Sequence, residues 1–218
     1  MSSTRGRIWT IVMLVIILVL PSIAYLMLRE GLHVRESAPA SDHLIKENLQ
    51  SIPTYSGVSF RGDTISKSRM KGKVCVLNFT THACEKSMDD NMRKLFEIQE
   101  DYYGKTISFR IITNTLDPDT DGLDNMRLMS ERYAGREIWH FITDPDSSGV
   151  KLYDWCKKNA TDSTLNETDT QCPQLVYLVD GNGKLRGAYN ILEEQQFHDL
   201  YNDILYLVNQ MELHEQKK

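Results

Sequence analysis

Two cysteines stand in settings where sulfur chemistry is expected. Cys84 follows an apolar run, Val74-Cys75-Val76-Leu77-Asn78-Phe79-Thr80-Thr81-His82-Ala83, and precedes an amphipathic stretch from Met88 to Tyr103. A thiol where a strand hands over to a helix faces unpaired N–H groups and the positive end of the helix dipole, both of which favour thiolate. Ser87, three residues on, has a hydroxyl that can donate to a thiolate but cannot resolve a mixed disulfide. Cys172 is followed by Pro173, just before a second apolar run, Leu175 to Val179. His82, two residues before Cys84, offers an imidazole that suits copper. The rival readings are plainer: a small buried hydrophobe for Cys84, a polar surface residue for His82, and for Cys172 a bridge to Cys156 across the polar loop 159–171. A bridge of that span would contribute about 3 kcal/mol.

Other reactive side chains read as structural. Cys75 lies within the buried strand, His140 sits beside Trp139, and Met88 packs on a helix unless it lends a thioether. The carboxylates at 117–124 read as solvent-facing and lack the spacing of a calcium loop.

The elements that position these residues follow from the pattern. Val58 to Phe60 and Thr64 to Ser66 flank Arg61-Gly62-Asp63 as a hairpin. Val74 to Phe79 is continuously apolar, as in a strand buried on both faces. Ile107 to Thr113 is a second central strand and Trp139 to Ile142 a short one. Helices are expected at 88–103, 123–133, 148–157 and 193–213, with a short one within 43–51. Leu175 to Val179 and Lys184 to Tyr189 enclose the turn Asp180-Gly181-Asn182-Gly183. The sum is an α/β layer fold, a central sheet flanked by helices.

Ile8 to Leu28 is apolar over about the 20 residues needed to cross a hydrocarbon core. Arg5 and Arg7 precede it, which places the N-terminus in the cytoplasm and the rest outside. Ser22-Ile23-Ala24 resembles a signal-cleavage site, but the apolar run continues through Leu28, as an uncleaved anchor requires. The expected organisation is therefore a cytoplasmic stub and transmembrane helix at 1–28, a linker at 29–55, and one domain at 56–218. The net charge of -5 argues against a nucleic-acid binder.

The segment from Phe60 to Glu85, with its Lys71-Gly72-Lys73 turn and Leu77-Asn78-Phe79 strand, resembles membrane-tethered thiol-disulfide proteins of the TlpA and ResA type. Phe79-Thr80, Asp117-Pro118-Asp119-Thr120-Asp121, Ser130-Glu131-Arg132-Tyr133, Trp139-His140-Phe141-Ile142-Thr143 and Tyr177-Leu178-Val179-Asp180-Gly181-Asn182-Gly183-Lys184 resemble the Sco/SenC family. The resemblance spans about residues 56 to 212 and implies a thioredoxin-like fold. It also implies handling of copper or thiol redox state outside the cytoplasm, periplasmic in a Gram-negative cell. The expected partners are the membrane and a protein client such as a cytochrome oxidase subunit.

The family's own motif is broken here. Its two cysteine positions fall on His82 and Lys86, and its distant histidine position falls on Cys172. In thioredoxin-like folds a cis-proline loop faces the active cysteine. The resemblance therefore implies a cis Pro173 that brings Cys172 beside Cys84 as a disulfide or a copper-binding dithiolate, with His82 as a third ligand. Two other readings stand beside it: a thiol-disulfide oxidoreductase using Cys84 with Cys172, and a non-catalytic thioredoxin-fold subunit or docking module of a membrane complex.

Overall fold

The computed structural model describes residues 9, 13–26, 39–47, 49–84, 88–144, 146–160 and 172–215. The chain divides into two compact units, Met1–Ala38 and Pro39–Lys218. In the first, residues 13–26 form a helix, α1, with exposed side chains. Among the described residues no helix is long and apolar enough to cross a membrane. The remainder of the expected span, Trp9 apart, lies outside the described residues.

The second unit is built on a seven-stranded sheet. Its strands are β1 (Ser56–Ser59), β2 (Thr64–Ser66), β3 (Val74–Thr80), β4 (Phe109–Thr115), β5 (Trp139–Thr143), β6 (Val176–Val179) and β7 (Leu185–Tyr189), in the spatial order β2-β1-β5-β4-β3-β6-β7. β3, β4 and β5 run parallel, while β1 pairs antiparallel with β5 and β6 antiparallel with β3. The helices are α2 (Lys67–Met70), α3 (Asp89–Tyr102), α4 (Leu123–Arg132), α5 (Ser148–Asn159) and α6 (Glu194–Glu215). The expected elements are present with ends shifted by one or two residues. The exception is the short helix expected within 43–51, where no helix forms among the described residues.

Alternation along β3 explains the layering. Val74 and Val76 join Met92, Leu95 and Ile98 of α3 and Leu200, Ile204 and Leu207 of α6 on one face. Cys75, Leu77 and Phe79 join Leu152 and Cys156 of α5 and Met70 of α2 on the other. All seven residues of β3 are buried, as a doubly covered central strand requires. At the β6–β7 turn Gly183 adopts φ +72°, a conformation that costs glycine nothing. Asp180 braces that turn by accepting from the Asn182 and Lys184 amides at 2.9 and 3.0 Å.

The domain begins earlier than the sequence pattern implies. Residues 39–55, expected within the linker, belong to the second unit. Leu44 and Ile52 are buried, the Ile45 amide donates to the Arg186 carbonyl, and Ser51 bridges to Lys184. Asp203, fully buried on α6, accepts from the Ser41 amide at 2.7 Å, the Ser41 hydroxyl at 2.5 Å and the Tyr189 hydroxyl at 2.8 Å. Few apolar residues in the strap announce this, because backbone pairing and one carboxylate hold much of it.

Asp203→Ala would leave those donors without their acceptor and lower the unfolding free energy by about 3 kcal/mol. Urea unfolding measures the loss, and limited proteolysis should show new cleavage at Lys46 in the variant.

Candidate functional site

Sheet pairing creates the site. In the antiparallel register Leu77 of β3 lies opposite Tyr177 of β6, so the chain leaving β3 runs past the chain entering β6. The first carries Cys84 in a single 3-10 turn, His82–Cys84, and the second carries Cys172. The two sulfurs are bonded, with Cα atoms 5.5 Å apart and a sequence separation of 88. Their expected proximity is therefore present. The alternative bridge is not, because Cys156 is a free thiol buried against α5's side of the sheet.

The details around the pair differ from expectation in three ways. Cys84 precedes α3 by about one turn: its amide donates to the Thr81 carbonyl, and its carbonyl accepts from the Met88 amide at 3.0 Å. The helix dipole is met instead by Asp89 and Asp90 in the first turn of α3. The Tyr133 hydroxyl first, and then Arg93, hold the Asp89 carboxyl below its usual range. Second, the peptide bond before Pro173 is trans, since no cis bond occurs among the described residues. Trans is the lower-energy isomer for X–Pro by about 0.5–1 kcal/mol. Cys172 is placed by its bond to Cys84 and by Asn91 of α3, whose amide nitrogen donates to the Gln174 carbonyl at 3.2 Å. Third, the carboxylates after β4 are not all solvent-facing. Asp121 is only 2% exposed, accepts from Thr115 at 2.9 Å, and lies 3.3 Å from His82 Nδ1.

His82 is thus oriented by a buried carboxylate, the arrangement that commonly fixes a ligating imidazole and leaves Nε2 outward. Its own side chain is 57% exposed. Thr80 and Thr115 are neighbours in the β3–β4 register, and the Thr80 hydroxyl is buried without a hydrogen-bond partner among the described residues. Asp121, Thr115 and Asn91 escaped the sequence reading. The only signal for Asp121 was its place in the Asp-Pro-Asp-Thr-Asp run after a central strand. Met88 is 2% exposed and packs as core, and Ser87 lies outside the described residues.

Among the described residues no group of three His, Cys, Asp or Glu side chains is set to hold a metal ion. In this oxidised state the two sulfurs are committed to each other. Two-electron reduction would release a dithiol. Cys84 is 1% exposed whereas Cys172 is half-buried, so an external partner meets Cys172 first.

The SCO1/SenC family model matches residues 45–206, most of the chain and nearly all of its second unit. The chain belongs to the SCO1/SenC family. A SCO1 protein homolog from Bacillus subtilis is 23% identical over 145 residues, covering 66% of this chain and 75% of that one. BsSco, a member of the Sco family of cytochrome c oxidase assembly proteins in which a disulfide switch was identified, superposes with a TM-score of 0.61 at 21% identity. That match covers 75% of this chain and 97% of that one. Bradyrhizobium japonicum ScoI, solved with copper bound, superposes with a TM-score of 0.56 at 13% identity, covering 72% and 99%. The fold is thus the thioredoxin-like one of Sco proteins.

Thiol reactivity should follow burial. Burial pushes the Cys75 thiol up to about 12 and the Cys156 thiol higher still, so both stay protonated and slow at neutral pH. Alkylation of the native chain should label neither. Mild reduction should release a fast thiol at Cys172 and a slower one at Cys84, which is 1% exposed, and lower the stability by about 4–5 kcal/mol for a loop of this length. Mass spectrometry and urea unfolding check the two statements.

Proposed function

We propose that this SCO1/SenC protein is membrane-anchored and extracytoplasmic, and handles copper or thiol redox state during assembly of a respiratory oxidase. The observation that carries the reading is the Cys84–Cys172 bond: two sulfurs 88 residues apart meet at the end of the central strand. Reduction by an external dithiol takes up two electrons and two protons. The resulting pair offers two thiolates, the soft donors that Cu(I) prefers. His82, already turned by Asp121, supplies the third donor through Nε2. The donor chemistry fits Cu(I) only in the reduced state, so redox state gates metal handling. The copper-bound Bradyrhizobium neighbour supports the metal half of the reading, and the disulfide switch described for BsSco supports the redox half.

The disulfide also favours a second reading, a thiol-disulfide oxidoreductase in which Cys84 and Cys172 exchange with a client. Copper titration and turnover separate the two. The reduced chain should bind one Cu(I), either Cys84→Ser or Cys172→Ser should abolish that binding, and Asp121→Asn should weaken it by about 10–100-fold. No Cu(I) binding together with disulfide turnover would overturn the copper reading. In that case Cys172→Ser should trap Cys84 in long-lived mixed disulfides. Absence of both activities would leave a docking module.

The anchored reading rests on the apolar run Ile8 to Leu28 behind Arg5 and Arg7. Mass analysis of the native protein should find that run retained. An N-terminus at Tyr25 would establish secretion instead.

A further inference from the structure

Two ties join the same two segments of the chain. The covalent one is the Cys84–Cys172 bond. The second is Asn91 of α3, whose Nδ2 donates to the Gln174 carbonyl at 3.2 Å, two residues past Cys172. Neither end is loosely attached. The Cys84 carbonyl accepts from the Met88 amide and the Met88 carbonyl from the Met92 amide, both at 3.0 Å, so the Cys84 turn is fixed to the start of α3, where Asn91 lies. Gln174 leads directly into the buried Leu175 and then β6.

Packing does not account for Asn91. It is 3% exposed, and its Oδ1 is buried without a hydrogen-bond partner among the described residues. A buried acceptor left without a donor costs stability that an apolar side chain of the same shape would not. What the carboxamide does provide is a donor to the segment that carries Cys172.

We propose that Asn91 is a positioning residue for the sulfur pair, holding Cys172 against Cys84 while both are thiols. This rests on the redox half of the proposed function. Two ties between the same segments reinforce each other, because with one in place the other closes without the entropy of gathering the chain again. In the oxidised chain the sulfur bond alone suffices to hold the segment. In the reduced chain the bond to Gln174 keeps the thiols at a high effective concentration, so it favours re-forming the disulfide and lowers the reduction potential. Asn91 acts through the backbone of Gln174 and takes no part in the exchange itself.

The test is the redox equilibrium of the full-length chain in neutral detergent, set by mixtures of reduced and oxidised dithiothreitol. Dithiothreitol passes two electrons and two protons to the pair and closes on itself as a cyclic disulfide. Alkylation and mass spectrometry count the thiols released. Asn91→Leu, close in shape but without a donor, should lower the equilibrium constant for disulfide formation about three- to tenfold. That is a rise of about 15–30 mV in midpoint potential. Asn91→Asp, which turns a carboxylate toward the Gln174 carbonyl, should shift it the same way. Gln99→Leu is the control. Gln99 is also buried on α3 but bonds to Ala134 and Arg136 after α4, so its loss should lower stability and leave the potential unchanged. Amide exchange across 172–176 should be faster in reduced Asn91→Leu than in the reduced wild type, and alike in the two oxidised forms. Should Asn91→Leu fail to fold, Asn91→Ser should give the same readings. An unchanged potential in the folded Asn91 variants would overturn the proposal and leave the redox reading standing. So would an equal shift in Gln99→Leu. A wild-type pair that does not equilibrate with dithiothreitol would overturn both.

Discussion

The antiparallel pairing of β6 with β3 is the constraint on which the site depends. β3 is the doubly buried centre of the sheet, and its far end leads into the turn that carries Cys84. β6 enters the sheet beside that end from the opposite direction, so the segment ahead of it, with Cys172, crosses the same ground. The residues between the two sulfurs build β4, β5 and three helices before the chain returns. A slip of one residue in the register would turn Tyr177 out of its edge-on contacts with Phe79 and Tyr153 and carry the incoming segment away from Cys84.

Beneath the sulfur pair the sheet is unusually polar for a core. Asn78, Thr113, Thr80 and Thr115 lie on the α3 side of β3 and β4, and Trp139 donates its indole N–H to Thr113 at 2.9 Å. Asn78 donates to the same hydroxyl at 3.3 Å. On the same side Thr115 donates to Asp121, which lies 3.3 Å from His82 Nδ1, so the imidazole is braced from below by a buried carboxylate and the hydroxyl that holds it. Position and orientation at such a site are set well below it.

Much of the architecture was legible because it is periodic. The apolar run of β3, the Asp-Gly-Asn-Gly turn and the amphipathic α3 and α6 each carry a pattern that only one kind of element satisfies. Cys84 and Cys172 were legible as a pair because the fold resemblance places one loop against the other. The isomer of Pro173 was not, since the dipeptide itself permits either and a covalent bond does the positioning. The strap at 39–55 was not, because its attachment is backbone pairing to β7 and a single carboxylate 162 residues away from Ser41. Asp121 was hidden among neighbouring carboxylates that share its composition but not its burial. Long-range complementarity of this kind leaves no local period to read.

The sulfur bond also divides the chain mechanically. Tension applied at the two ends passes from Cys84 directly to Cys172 and bypasses everything between them. α3, β4, α4, β5 and α5 then bear no load, and a contour of roughly 300 Å, at about 3.4 Å per extended residue, stays out of reach of the pull. Reduction joins that hidden length to the load path. The same two electrons that free a pair of thiols would therefore change how far the protein can be stretched before its sheet is lost.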